Sequence, residues 1–211
     1  MKSNSLSPLY FIGMGGFAKE ILSAWQYFDL SKQYCYAGFF DDDAAKSQQN
    51  GYQGSLAAIA SLPTGTAVLI AFTATAAKRK LLEEWEDTHL AFPNAIHQTA
   101  QLGAEVQLGV GNIISAGCIL TTEIELGNFN ILNHYVTIGH HCRLGTGNAL
   151  MTKAHLSGYV QLDDYNLLAV SASILQGKSM GNGNTLGPHA CLMNSVGDGQ
   201  TYLGVPALAV K

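Results

Sequence analysis

The feature that most constrains this chain is a ladder of aliphatic residues at every sixth position from Ile96 onward. It runs through Ile96, Leu102, Leu108, Ile114, Leu120, Leu126, Leu132, Ile138, Leu144, Leu150, Leu156, Leu162, Leu168, Ile174, Met180, Leu186 and Leu192 without a slip in register. A second period rides on the first, with Asn112, Asn130, Asn148, Asn166 and Asn184 recurring every eighteen residues. Neither the 3.6-residue period of a helix nor the alternation of an open sheet gives a six-residue repeat. A strictly repeated short strand means a solenoid, and six inside eighteen gives three equal sides per turn. That is a triangular parallel β-helix of about five and a half coils, or ~25 Å of prism at ~4.8 Å per coil.

The register assigns the remaining positions of the repeat. The ladder residue and the small residue four places on (Ala100, Val106, Cys118, Val136, Cys142, Ala154, Val160, Ala172, Ala190) should face inward. Glycine follows the ladder residue at 103, 109, 127, 139, 145, 181 and 187, which reads as a corner needing permissive backbone angles. The recurring Asn fits two readings: a stand-in for Gly in a left-handed conformation, or a stack hydrogen-bonded from coil to coil. After Leu192 the period fails, and Tyr202-Leu203-Gly204-Val205-Pro206-Ala207 should close the end of the prism.

The first ninety residues follow a different pattern. Leu9 to Ile12 reads as a buried strand running into Gly13-Met14-Gly15-Gly16-Phe17-Ala18-Lys19-Glu20, then a helix with Ile21, Leu22, Trp25 and Phe28 on one face. Such a strand–turn–helix unit can offer its helix N-terminus to an anion. The turn is not a full dinucleotide fingerprint, since Ala18 stands where a third glycine would be. Tyr36 to Phe40 reads as a second strand ending in Asp41-Asp42-Asp43, where acidic side chains meet ribose or base in doubly wound folds. Ala67 to Phe72 is a third strand, followed by an amphipathic helix from Ala74 to Trp85. The expected organisation is a small Rossmann-like parallel sheet over residues 1–93 and a left-handed parallel β-helix over 94–211.

Composition excludes some classes. A net charge of -4 with no basic run gives no general attraction to nucleic acid or anionic membrane. No stretch reaches the ~18 apolar residues of a membrane span, the start lacks a signal-peptide cleavage pattern, and the expected location is the cytoplasm. The four cysteines form no CxxC pair and read as buried reduced thiols.

An aliphatic interior leaves chemistry to the outside of the prism. His134, His140, His141, His155 and His189, with Asn133, Lys153 and Lys178, are the polar candidates there. His140 sits two residues after a ladder position, and one coil on, at the same place, is Gly158. A histidine beside a bare backbone amide can pair a general base with an oxyanion donor. Zinc is not expected: no two clustered histidines are five apart, and no pair is separated by thirty-six. Cys142 belongs to the inward set and should lie behind the wall, away from any role as nucleophile.

The GMGGFAKE turn, the GFFDDD strand end, FPNAIH at the junction, NHYVTIGHHCRLG in the coils and LGVPA near the end carry a resemblance. The chain resembles the hexapeptide-repeat sugar acetyltransferases of the bacillosamine N-acetyltransferase and sialic acid O-acetyltransferase type, over nearly its whole length. The resemblance implies a homotrimer with acetyl-CoA in the groove between neighbouring prisms, and a nucleotide-linked sugar on the α/β domain. It implies direct acetyl transfer with His140 as general base, Asn133 beside the acceptor and the Gly158 N–H facing the thioester carbonyl. It places Gly15, Gly16 and Phe17 against the nucleotide-sugar, Asp41 and Asp42 at the nucleotide and Thr73 at the strand end. Ala149, Val170 and Pro188 match positions along the CoA path.

Four positions depart from the family pattern. His141 stands where an acidic residue usually follows the base, Phe17 replaces a histidine, Ala149 replaces a CoA-contacting histidine, and Pro188 replaces a CoA-contacting glycine. The expected activity is acetyl-CoA-dependent N-acetylation of a nucleotide-linked amino sugar in surface glycan synthesis, without a metal. Two alternatives are O-acetylation of a sialic-acid-like sugar and a non-catalytic sugar-nucleotide-binding trimer.

Overall fold

A computed structural model describes residues 6–85 and 88–210, so the outermost ends of both expected segments lie outside it. The chain opens with a parallel sheet built from β1 (Ser7–Ile12), β2 (Tyr34–Phe40), β3 (Tyr52–Gly54) and β4 (Ala67–Ile70), in the order β3-β2-β1-β4. The short edge strand β3 was not anticipated, so the Ala-Val-Leu-Ile strand is the fourth and not the third. Three residues with one apolar position carry too little pattern to be read as a strand. Helix α1 (Gly16–Ser23) follows β1, and α2 (Thr75–Glu84) follows β4. The face expected to run unbroken to Phe28 instead breaks at Ala24 into two short 3-10 turns, although Phe28 still reaches the core.

From Ala95 the chain winds as the six-residue ladder requires. Two- and three-residue strands stack into three parallel sheets, each strand pairing with the one eighteen residues away. The first face holds residues 95–96, 113–114, 131–132, 149–150, 167–168 and 185–186. The second holds 101–102, 119–120, 137–138, 155–156, 173–174 and 191–192, and the third runs from Val106–Leu108 to Ser179–Met180. The ladder residues from Ile114 to Leu192 are almost wholly buried in one core, with Cys118, Val136, Cys142, Ala154, Val160, Ala172 and Ala190 filling between them. At roughly 1.5–3 kcal/mol for each large aliphatic side chain removed from water, this column dominates the stability of the prism. Thr201–Leu203 adds a strand to the first face and Tyr202 enters the core, closing the end.

The left-handed backbone positions correct the sequence reading of the corners. They fall three residues before each ladder residue, from Glu105 (φ 58) through His141 (φ 59) to His189 (φ 56), and most carry a side chain. The glycines after the ladder residues are not in that conformation. They are glycine because coils approach too closely for a Cβ: one on Gly139 would lie 2.7 Å from the Gly158 nitrogen. The asparagines are not left-handed either. Asn112, Asn130, Asn148, Asn166 and Asn184 are buried, each donating its backbone N–H to Oδ1 of the Asn one coil back, with Asn94 serving the first, and Oδ1 of Asn184 accepts from the Gln200 N–H. The coil-to-coil stack is therefore the correct reading.

The two parts share a core. Ala95, Ile113 and Ile131, on the outside of the first face, pack with Leu9, Phe11, Ile21 and Phe28. Lys78 of α2 is fully buried and donates from Nζ to the Phe129 carbonyl at 2.8 Å.

Candidate active site

The corner between the second and third faces carries His140, and its surroundings follow from the eighteen-residue register. Gly158 sits one coil on, with His140 packed against it: a Cβ on Gly158 would lie 2.7 Å from both Cε1 and Nε2 of the ring. Gly158 is buried in the protomer, its N–H makes no hydrogen bond among the described residues, and a Cβ on Gly139 would lie 2.7 Å from that nitrogen. A base and a free amide donor thus share one corner.

His141 occupies the left-handed slot after His140, a conformation that histidine tolerates better than most residues. Its Nδ1 lies 3.0 Å from Nδ1 of His140, and its Nε2 lies 2.7 Å from Oε2 of Glu123. Glu123, His141 and Tyr159 are the same slot in three successive coils, and Tyr159 stacks on the His141 ring at 4.6 Å with an interplanar angle of 27°. Beside them is a cavity of about 410 Å³ lined by Glu105, Glu123, Glu125, His141, Arg143 and Tyr159, among others. Glu123 was not anticipated, although subtracting one coil from His141 arrives at it.

Asn133 does not join His140 within the protomer. It is buried on the preceding corner, between the first and second faces, where its Oδ1 takes the hydrogen bond of the His134 ring at 2.6 Å. That corner faces the α/β domain. Phe17, Ile21, Phe28, His97, Ser115 and His134 line a small cavity of about 130 Å³ there. Burial, and then the nearby His134, push the His97 ring below its ordinary pKa. Val170 and Pro188 are exposed on the same corner, one and two coils beyond Thr152, which itself stacks on His134 in register.

Ala149 is a correction. It lies on the first face, paired with Ile131 and Leu167, and has no exposed surface, so it has no edge to offer a ligand. The α/β domain covers the outer side of that face at Ala95, Ile113 and Ile131, which the six-residue period does not reveal. Asp41 is also committed internally: its carboxylate accepts from the Met14 N–H at 2.9 Å, the Asp43 N–H at 2.9 Å and Lys46 Nζ at 2.6 Å. Burial raises its pKa, but the Lys46 ammonium and the two N–H groups outweigh that and hold the carboxyl below its usual range. Asp42 accepts from the Leu56 N–H at 2.8 Å and remains exposed. Thr73 is half-buried in the loop between β4 and α2.

Gly15 and Gly16 are exposed, and a Cβ at either would meet nothing within 4 Å. Neither needs a positive φ, so nothing inside the protein requires glycine there; a ligand approaching the backbone would. Cys118 and Cys142 are buried as expected, and burial raises both thiols, Cys118 to about 11. Cys35 is exposed and Cys191 half-buried, against expectation, because both side chains fall on outward positions. Among the described residues, no group of three or more His, Cys, Asp or Glu could hold a metal ion, and no helix is long and apolar enough to cross a membrane.

A parallel-sheet domain followed by a left-handed β-helix, with a histidine over a bare amide on one corner, is the architecture of a hexapeptide-repeat acyltransferase. Residues 8–85 match the PglD N-terminal domain family. The whole chain superposes on PerB from Caulobacter crescentus, solved in complex with CoA and GDP-perosamine, with a TM-score of 0.87 and 25% identity over 98% of this chain and 99% of that one. The acetyltransferase domain of PglB from Neisseria gonorrhoeae gives a TM-score of 0.86 at 24% identity, over 96% and 99% of the two chains. WeeI from Acinetobacter baumannii gives 0.70 at 24% identity, over 98% and 100%. No curated protein sequence matches the chain. The chain thus carries the PglD N-terminal domain over residues 8–85 and shares, along its whole length, the fold of these sugar N-acetyltransferases.

Proposed function

We propose that this protein transfers the acetyl group of acetyl-CoA directly to the amine of a nucleotide-linked amino sugar, in the cytoplasmic synthesis of a surface glycan. The observation that carries this reading is the His140 ring lying against Gly158, whose N–H makes no hydrogen bond among the described residues. His140 takes the proton of the attacking amine, and the Gly158 N–H stabilises the oxyanion formed from the thioester carbonyl. The acidic cavity beside His141, lined by Glu105, Glu123 and Glu125, favours an acceptor that arrives as an ammonium over one that arrives as a neutral hydroxyl. PerB, the relative solved with CoA and GDP-perosamine, supports the same pair of substrates.

Residues 1–93 hold the nucleotide-sugar and 94–211 carry the acyl transfer. The open backbone at Gly15 and Gly16, with Phe17 and the exposed Asp42, receives the nucleotide-sugar. Asp41 acts indirectly, by tying the turn to the end of β2 through Met14. The glycine turn faces one corner of the prism, with Val170 and Pro188 further along it, while His140 is on the next corner. A complete site therefore needs two copies, with acetyl-CoA in the groove between them. Tyr135 (59% exposed) and Tyr159 (49%) flank the second face and supply the apolar surface for a trimer.

Acetylation should be measured with acetyl-CoA against a panel of amino- and hydroxy-sugar nucleotides, for wild type and His140→Ala. Amine-specific turnover that falls at least ~100-fold in His140→Ala is expected. Undiminished turnover in that variant, or a monomer by native mass, contradicts the mechanism.

A further inference from the structure

We infer that Glu123, acting through His141, is the orienting carboxylate of the base, so that His140, His141 and Glu123 work as a three-member relay. The inference rests on the acyl-transfer reading above and accounts for the missing acidic residue after His140. An ionised carboxylate only accepts hydrogen bonds, so the 2.7 Å contact places a proton on Nε2 of His141. The Nδ1 of that neutral ring then carries a lone pair. Two ring nitrogens 3.0 Å apart share one proton, which must therefore sit on Nδ1 of His140. This leaves the lone pair of His140 on Nε2, one of the two ring atoms packed against Gly158. The carboxylate thus fixes, through one intervening ring, the tautomer that a base at this corner requires.

The chemistry balances without further reagents. The amine nitrogen bonds to the thioester carbonyl carbon and loses one proton to Nε2 of His140. Collapse of the tetrahedral adduct breaks the carbon–sulfur bond, and the departing CoA sulfur takes the proton from Nε2. While His140 is an imidazolium, its Nδ1–H points at the His141 lone pair, and the His141 Nε2–H points at Glu123. Tyr159 holds the middle ring by stacking on it. The other charged groups on this cavity are Glu105, Glu125 and Arg143, and Arg143 pairs with Glu125 at 3.3 Å, which leaves Glu123 to His141.

Glu123→Gln tests the relay, on a side chain that is 46% exposed and free of core contacts. The expected result is a kcat lower by roughly 10- to 100-fold with KM for both substrates little changed. An unchanged kcat, or a loss carried by a rise in KM instead of a fall in kcat, overturns the relay. Imidazole 15N spectra of the wild type read the tautomers independently of turnover: an unprotonated Nε2 on His140 is expected, and an unprotonated Nδ1 overturns the proposal. A wild type that acetylates no acceptor would instead count against the acyl-transfer reading, while the spectra still decide the relay.

Discussion

Gly158 is the residue on which the corner depends, because its missing side chain lets the His140 ring pack directly against it. A methyl group there meets the ring at 2.7 Å, closer than carbon atoms approach, so the ring must turn away. Gly158→Ala is expected to lower kcat/KM by at least ~100-fold, with the melting temperature little changed. Comparing turnover with a thermal melt checks this. The thiols provide a second expectation at this scale. Cys142 is sealed in the core with its Sγ 3.1 Å from the Ser157 carbonyl, so alkylation of the native protein should modify Cys35 and leave turnover intact. Loss of turnover on alkylation, with Cys142 modified, would bring the cysteine back as a nucleophile. The pairing of His140 with Gly158 was legible in the sequence because both obey the coil period. The His141–Glu123 contact obeys it too, but only the direction of the two rings reveals that one coil reaches back to the other.

Among the elements, the coil corners combine two devices that the repeat alone left ambiguous. One is a left-handed slot every six residues, filled by side chains as large as Phe129, Tyr135 and Tyr165. Each left-handed L-residue costs about 1–2 kcal/mol, which the stacking of successive coils must offset. The other is the buried asparagine stack. Asn130 donates from Nδ2 to Oδ1 of Asn112 and to the Gly145 carbonyl, and its own Oδ1 accepts from the N–H and Nδ2 of Asn148. Asn130→Ala leaves several of these groups buried without partners, at ~1–3 kcal/mol for each. A loss of about 3–5 kcal/mol in denaturant unfolding is expected, and Asn130→Gly should do no better if the stack matters and φ does not. Rescue by glycine would restore the left-handed explanation.

For the whole molecule, the decisive contact lies between the α/β domain and the prism, where Lys78 of α2 meets the Phe129 carbonyl. Burial pushes Lys78 down to about 7, while the unfolded chain keeps it near ~10.4. Between those values the unfolded state holds the extra proton, so stability rises with pH by at most ~1.4 kcal/mol per unit. Below the folded value both states are protonated and the full cost of the buried charge remains; above the unfolded value it is gone. Stability measured for wild type and Lys78→Met should therefore diverge in favour of wild type from pH 7 to pH 10. A constant difference across that interval would mean that Lys78 is not titrating in place.

The six-residue ladder by itself determined the prism, its core, the inward cysteines and the alignment of His140 with Gly158, because a solenoid turns sequence spacing directly into spatial adjacency. The α/β domain was legible as strands and helices, but its edge strand and its seat on the first face were not, since nothing local encodes which outer face will be covered. Tertiary structure alone decided that Asn133 turns toward His134, that Asp41 is spent on the turn, and that Glu123 reaches His141. Those outcomes depend on side-chain direction and on competition among nearby partners, which a period in the chain does not specify.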